Sequence, residues 1–185
     1  MEGRIRPIEQ YVAAMVSVFF KNIIKTMSAE KALLYFMESI LEYKLYNLLQ
    51  SIKKQVPGNI FTGIGIVLYD SLDNLPFFKL SSNSVVERGV ELSDSILEAS
   101  LATNINHDGF NLVNRNFEIT HRNVYVAPPI NDDIFFDNTK GYGARYASAI
   151  LCSRVDGVFL TGVVSNSYGV VIFKNGQVIK REIDD

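Results

Sequence analysis

The sequence is short of the features that announce most function classes. It has one cysteine among 185 residues, Cys152, so no intrachain disulfide can form and a reducing compartment is expected. That thiol sits in an apolar helical pattern, where a buried, inert role is the commoner alternative to a reactive one. No His/Cys/Glu cluster has the spacing of a structural metal site, and there is no complete Walker loop, nucleophile elbow or zinc-protease pattern. The most apolar early run, Val12 to Phe20, is short and interrupted by Ser17. A spanning helix needs roughly twenty apolar residues, so no membrane span is expected and a soluble, cytoplasmic protein is. The formal net charge is only -2, which argues against a broad basic face for nucleic acid but leaves room for a local anion site.

What is present is apolar substance and periodicity. Hydrophobic residues make up 48% of the chain, enough for a full core. The length suits one domain, or one domain with an added helical piece. Ile8, Val12, Met15, Val16, Phe19, Ile23 and Met27 recur at helical steps. A second helix follows, with Ser28 as N-cap, a stripe from Leu33 to Ile52, Lys53 and Lys54 at its end, and Pro57-Gly58 as its stop. Residues 1–57 therefore read as a helical hairpin. Its wide stripes suit packing on the following domain or self-association into a homo-oligomer.

From residue 58 to 185 the texture is that of a mixed α/β domain. Strands are expected over Ile60–Tyr69, Phe77–Leu80, Phe110–Val113, Phe117–His121, Val124–Ala127, Val158–Val164, Gly169–Phe173 and Gln177–Lys180. Helices are expected over Leu92–Ala102, with Ser93 or Asp94 near its start, and Gly143–Val155. Asn175-Gly176 is the strongest hairpin signal. The fold class is a mixed central sheet flanked by helices, preceded by the two-helix hairpin.

Two segments carry chemistry. Gly141-Tyr142-Gly143-Ala144-Arg145 is a glycine-bracketed turn opening a helix with an arginine in its first turn. Free backbone N–H groups and the helix dipole make such a start favourable for a phosphate. His107-Asp108-Gly109-Phe110 places an acid beside a glycine at the head of an apolar run, where a metal or a sugar hydroxyl could be held. Taken singly, each has an ordinary explanation: a turn, a surface histidine, a loop-to-helix junction, a core phenylalanine. Their joint order points to a nucleotide.

That order resembles the diadenylate cyclase family. Its members carry a Leu-His-Asp-Gly-Ala motif opening a strand, a Gly-Thr-Arg-His-Arg motif opening a helix, a Val-Ser-Glu-Glu motif at a strand end, and a closing hairpin. The matching pieces here are Asn106-His107-Asp108-Gly109-Phe110, Gly143-Ala144-Arg145-Tyr146-Ala147, Val164-Ser165-Asn166-Ser167 and Lys174-Asn175-Gly176-Gln177-Val178, over roughly two thirds of the chain. The resemblance implies condensation of two ATP molecules into cyclic di-AMP by two facing domains, with Mg2+ or Mn2+. It assigns Asp108 to the metal and the attacking hydroxyl, His107 to the metal, and Arg145 to catalysis at the phosphates. Gly109, Phe110, Gly143, Ala144, Tyr146 and Ser165 then fall in the nucleotide site.

The chain departs from the motifs at several positions. Tyr146 and Ala147 stand for a histidine and an arginine, Asn166 and Ser167 for two glutamates, and Phe110 for an alanine. Losing one charged phosphate donor costs on the order of 2–4 kcal/mol of transition-state stabilisation. The expectation is a catalytically impaired nucleotide-binding module, a sensor of an adenine nucleotide or cyclic dinucleotide. A variant working cyclase and an oligomerisation module with a vestigial pocket are the alternatives.

Overall fold

A computed structural model of the chain describes residues 28–82, 84–86, 89–134, 137 and 140–181. The first expected helix lies outside the described residues. The chain divides into two compact units, Met1–Lys44 and Leu45–Asp185. Helix α1 spans Ala29–Gln55, with Glu30 in its first turn and Lys53 and Lys54 in its last, each sign suiting the helix dipole. The Lys31 backbone N–H donates to the Ser28 hydroxyl at 3.4 Å, a long capping bond.

The second unit is built on one seven-stranded sheet. Its strands are β1 (Ile64–Tyr69), β2 (Phe77–Lys79), β3 (Phe110–Asn114), β4 (Ile119–Val126), β5 (Val158–Ser165), β6 (Gly169–Lys174) and β7 (Gln177–Arg181). They lie in the order β2-β4-β3-β1-β5-β6-β7. β1 and β3 run parallel, joined through helix α2 (Leu92–Ala99), and every other pair is antiparallel. β1 is central and apolar on both faces, as a strand covered on two sides must be.

Alternation along the strands divides the core. Val67, Phe110, Leu112, Val163, Val171 and Phe173 pack with Tyr146, Ala149, Ile150 and Cys152 of helix α3 (Gly143–Cys152). The opposite face receives the C-terminal half of α1. A Cβ at Gly162 would come within 2.7 Å of a Leu49 methyl and 3.2 Å of a Leu45 methyl, so the missing side chain in β5 is what seats this helix. Leu45, Leu49 and Ile52 are fully buried, each stabilising by about 1.5–3 kcal/mol. Lys180 of β7 lies over the Tyr46 ring, 4.1 Å from its centre.

Several boundaries differ from the sequence reading, for local reasons. β1 starts at Ile64 because Gly63 has φ +81°, leaving Phe61 in an isolated bridge to Leu101. β4 starts at Ile119: the Asn114 side chain accepts from the Asn116 and Glu118 N–H groups, and Phe117 takes φ 63°. From there it runs through to Val126 as one strand, although Asn123 has φ 50°. α2 begins after Glu91, with no side-chain cap, and ends at Ala99. α3 ends at Cys152, three residues early. Asn175 and Gly176, at φ 51° and 74°, form the expected hairpin turn.

Cys152 is 0% exposed, and burial pushes its thiol up to about 12. It stays protonated at neutral pH. Native protein at pH 8 is expected to leave a thiol-specific disulfide reagent unreacted, and denatured protein to consume one equivalent; fast labelling of the native protein would contradict the buried placement.

Candidate functional site

Strand register assembles the site. In the parallel pair, Ile66 lies beside Asn111, an offset that carries down to Thr62 and His107 just before the two strands begin. In the antiparallel pair, Ile64 lies beside Val164, which puts Ser165 next to Gly63. Three segments distant in sequence thus meet on one edge of the sheet.

Helix α3 begins at that edge. Gly141 and Gly143 have φ +61° and +80°, the left-handed conformations the turn needs, and no side chain caps the helix. Arg145 in its first turn reaches across both parallel strands. Its Nη1 donates to the Thr62 carbonyl at 2.9 Å and its Nη2 to the His107 carbonyl at 3.3 Å. A Cβ at Gly63 would lie 2.7 Å from the Val164 carbonyl oxygen, 3.0 Å from Arg145 Nη1 and 3.7 Å from Ser165 Cα. Arg145, Gly63 and Ser165 therefore crowd one spot, and the two motifs singled out in the sequence come together. Burial lowers the Arg145 pKa from its usual value, while the Tyr168 phenol and the Asp108 carboxylate push it back up.

The loop before β3 presents the acid. His107 Nδ1 is 2.6 Å from the Asn104 carbonyl oxygen, so that nitrogen is the donor and Nε2 is the ring atom turned toward Asp108. Nε2 lies 3.8 Å from Asp108 Oδ1, and the Asp108 side chain is 71% exposed. This pair fits one divalent ion: the orienting carbonyl behind the histidine is the usual support for a ligating imidazole. No group of three or more His/Cys/Asp/Glu occurs among the described residues. The remaining ligands would have to be water and phosphate oxygens, the usual arrangement for Mg2+ at a nucleotide.

Buried polar groups fix that loop. The Asn123 amide donates to the Asp108 carbonyl at 3.0 Å, and the Ser84 hydroxyl lies 3.1 Å from both the Asn123 and Asn106 side-chain oxygens. Gly109 has φ +74°, and a Cβ there would collide with the Val124 carbonyl and meet Leu80 at 3.0 Å.

Two other residues assigned to the nucleotide site, Phe110 and Tyr146, are core residues instead, while Ala144 and Ser165 remain beside the start of α3. Phe110 is a core residue: its ring would be 2.5 Å from a Cβ at Gly65, and it is 4% exposed, so neither face is open to a base. Tyr146 is also buried. Its ring stacks on Tyr142 at 4.2 Å and stands edge-on to Phe173, and its hydroxyl accepts from Arg181 at 2.8 Å. Burial raises its pKa. Ala144 is exposed. Ser165 shares a hydroxyl contact of 2.9 Å with Ser167 and accepts from the Ser167 N–H at 3.1 Å. Asn166, at a family glutamate position, donates to the Gly58 carbonyl at 2.8 Å.

Sequence reasoning missed two groups of aromatics. Tyr168, in the β5–β6 turn, stands edge-on to Tyr142 and Tyr146 at 5.6 and 5.4 Å. Phe78 of β2 and Tyr125 of β4 are cross-strand neighbours with ring centres 5.1 Å apart, about half exposed. The signal for the second was available: a large aromatic at an outward strand position, beside another.

Gly109→Ala is expected to destabilise the domain by about 2 kcal/mol or more, from the left-handed backbone and the carbonyl collision together. Chemical denaturation of the two proteins checks it, and equal midpoints would mean the loop has another conformation.

No protein-family model and no curated protein matches the sequence. Solved structures do match the fold. A crystal structure of DacA from Staphylococcus aureus, a double cysteine mutant, superposes with a TM-score of 0.50 at 17% identity, covering 80% of this chain and 89% of that one. A hypothetical membrane spanning protein from Bacillus cereus superposes with a TM-score of 0.52 at 15% identity, covering 95% and 90%. Among the described residues of this chain no helix is long and apolar enough to cross a membrane. DacA is a diadenylate cyclase, and the seven-stranded mixed sheet with its flanking helices gives this chain the diadenylate-cyclase-like fold.

Proposed function

We propose that the domain binds an adenine nucleotide or a cyclic dinucleotide at the sheet edge where α3 begins, and acts as a regulatory or sensing module with weakened cyclising chemistry. The observation that carries this reading is the convergence of Arg145 on the His107 carbonyl, 3.3 Å away, which joins the cationic and acidic segments in one cleft. Phosphates would take the α3 N-terminus, Arg145 and Ser165. Asp108 stands free to accept a hydrogen bond from a ribose hydroxyl.

His107 and Asp108 would hold Mg2+ or Mn2+. Such an ion would neutralise phosphate charge and polarise the phosphorus centre. The weakening follows from the phosphate side. Ala147 replaces a cation, and Asn166 is occupied with the Gly58 carbonyl. Cyclisation would also require a second copy facing the first, so a homo-oligomer belongs to the proposal.

A working cyclase is the second reading, favoured by the intact His107–Asp108 pair with its preset tautomer. Incubation with ATP and Mn2+ separates the two. Tight ATP binding with little or no cyclic dinucleotide by chromatography is expected; sustained turnover would establish the cyclase, and no binding of ATP or cyclic di-AMP by calorimetry would remove both. Arg145→Ala is expected to weaken ATP binding tenfold or more, since charge-assisted phosphate contacts are the strong ones. Unchanged affinity would take Arg145 out of the phosphate site.

A further inference from the structure

The family motifs place two glutamates after the serine at the end of β5. Here that turn reads Asn166-Ser167-Tyr168, and the structure uses its residues in different ways. Asn166 points away to the Gly58 carbonyl, and Ser167 folds back on Ser165. Tyr168 turns inward. Its ring stands edge-on against both Tyr142, immediately before α3, and Tyr146 in its first turn. Tyr142 and Tyr146 are themselves stacked and held through their hydroxyls by Arg181 of β7. The phenol thereby has a fixed direction. The groups in its reach are the Ser165 hydroxyl and the Arg145 guanidinium.

The electrostatics agree with this placement. Burial is the largest influence on the Tyr168 phenol and raises its pKa, so the group stays a neutral donor at physiological pH. A neutral O–H beside a guanidinium and a serine, at the mouth of an uncapped helix, is a donor set suited to phosphoryl oxygens and poorly suited to a metal.

We propose that Tyr168 is a positioning residue of the nucleotide site, its hydroxyl donating to a phosphate oxygen alongside Ser165 and the Arg145 guanidinium. The donor follows directly after the two positions where the resemblance would put carboxylates, Asn166 and Ser167. The inference rests on the nucleotide-binding reading above and goes further in assigning the β5–β6 turn to the phosphates.

Tyr168→Phe tests it, because the variant keeps the ring stack and removes only the hydroxyl. Affinities for ATP and for adenosine are measured by calorimetry on the full chain, with melting temperature as a check on the fold. The expected result is an ATP affinity lowered about tenfold, the loss of one hydrogen bond to a charged group, with adenosine affinity and melting temperature unchanged. Equal ATP affinity in wild type and variant would overturn the role of Tyr168 while leaving the nucleotide reading intact. Parallel losses for ATP and adenosine would also overturn it, marking a packing role. A wild-type chain that binds neither would overturn the nucleotide reading, and this inference with it.

Discussion

The site depends on strand register. β1 pairs parallel with β3 on one side and antiparallel with β5 on the other. A parallel neighbour brings a second strand start to the edge where β1 starts, and an antiparallel neighbour brings a strand end. The loop before β1, the His107–Asp108 loop and Ser165 are neighbours for that reason alone. A shift of one residue in either pairing would exchange the two covered faces of β1 and set Val67 and Leu68 against the wrong neighbours, so the core that fixes register also fixes the site.

Arg145 then locks the edge. It bonds to backbone carbonyls on both sides of the parallel pair and ties the start of α3 to them. Backbone partners make the clasp independent of which side chains occupy positions 62 and 107. They also use only part of the guanidinium: with five N–H donors in a planar fork, it retains donors for an anion while remaining bound to the protein. Support for the acidic loop comes from the other side, through Asn123 and Ser84, both almost fully buried. The loop that carries the acid is thus held twice, by Arg145 through the His107 carbonyl and by Asn123 through the Asp108 carbonyl.

Much of this was legible in the sequence. Strand and helix order followed from periodicity, and the Asn175-Gly176 turn from composition, because those signals are local. The joining of His107-Asp108 to Arg145 was legible only through the joint order of motifs. Its physical basis is register, which no single segment encodes. Phe110 and Tyr146 show the converse. Each sits in a motif position, yet an aromatic ring at the head of β3 or on the inner face of α3 finds its largest gain in the core. Tyr168 was invisible because nothing in a turn sequence says which way a side chain will point.

Gly63 shows how an absent atom governs the cleft. Its left-handed backbone lets Val164 and the guanidinium both close on the place a methyl group would fill. Any side chain there would have to push out either the main chain of β5 or the cation. The cleft's positive charge is therefore lodged in a vacancy between two strands, and its position is set by the shape of the backbone more than by attraction to any acid. A cleft organised in that way keeps its cation in place whether or not an anion has arrived.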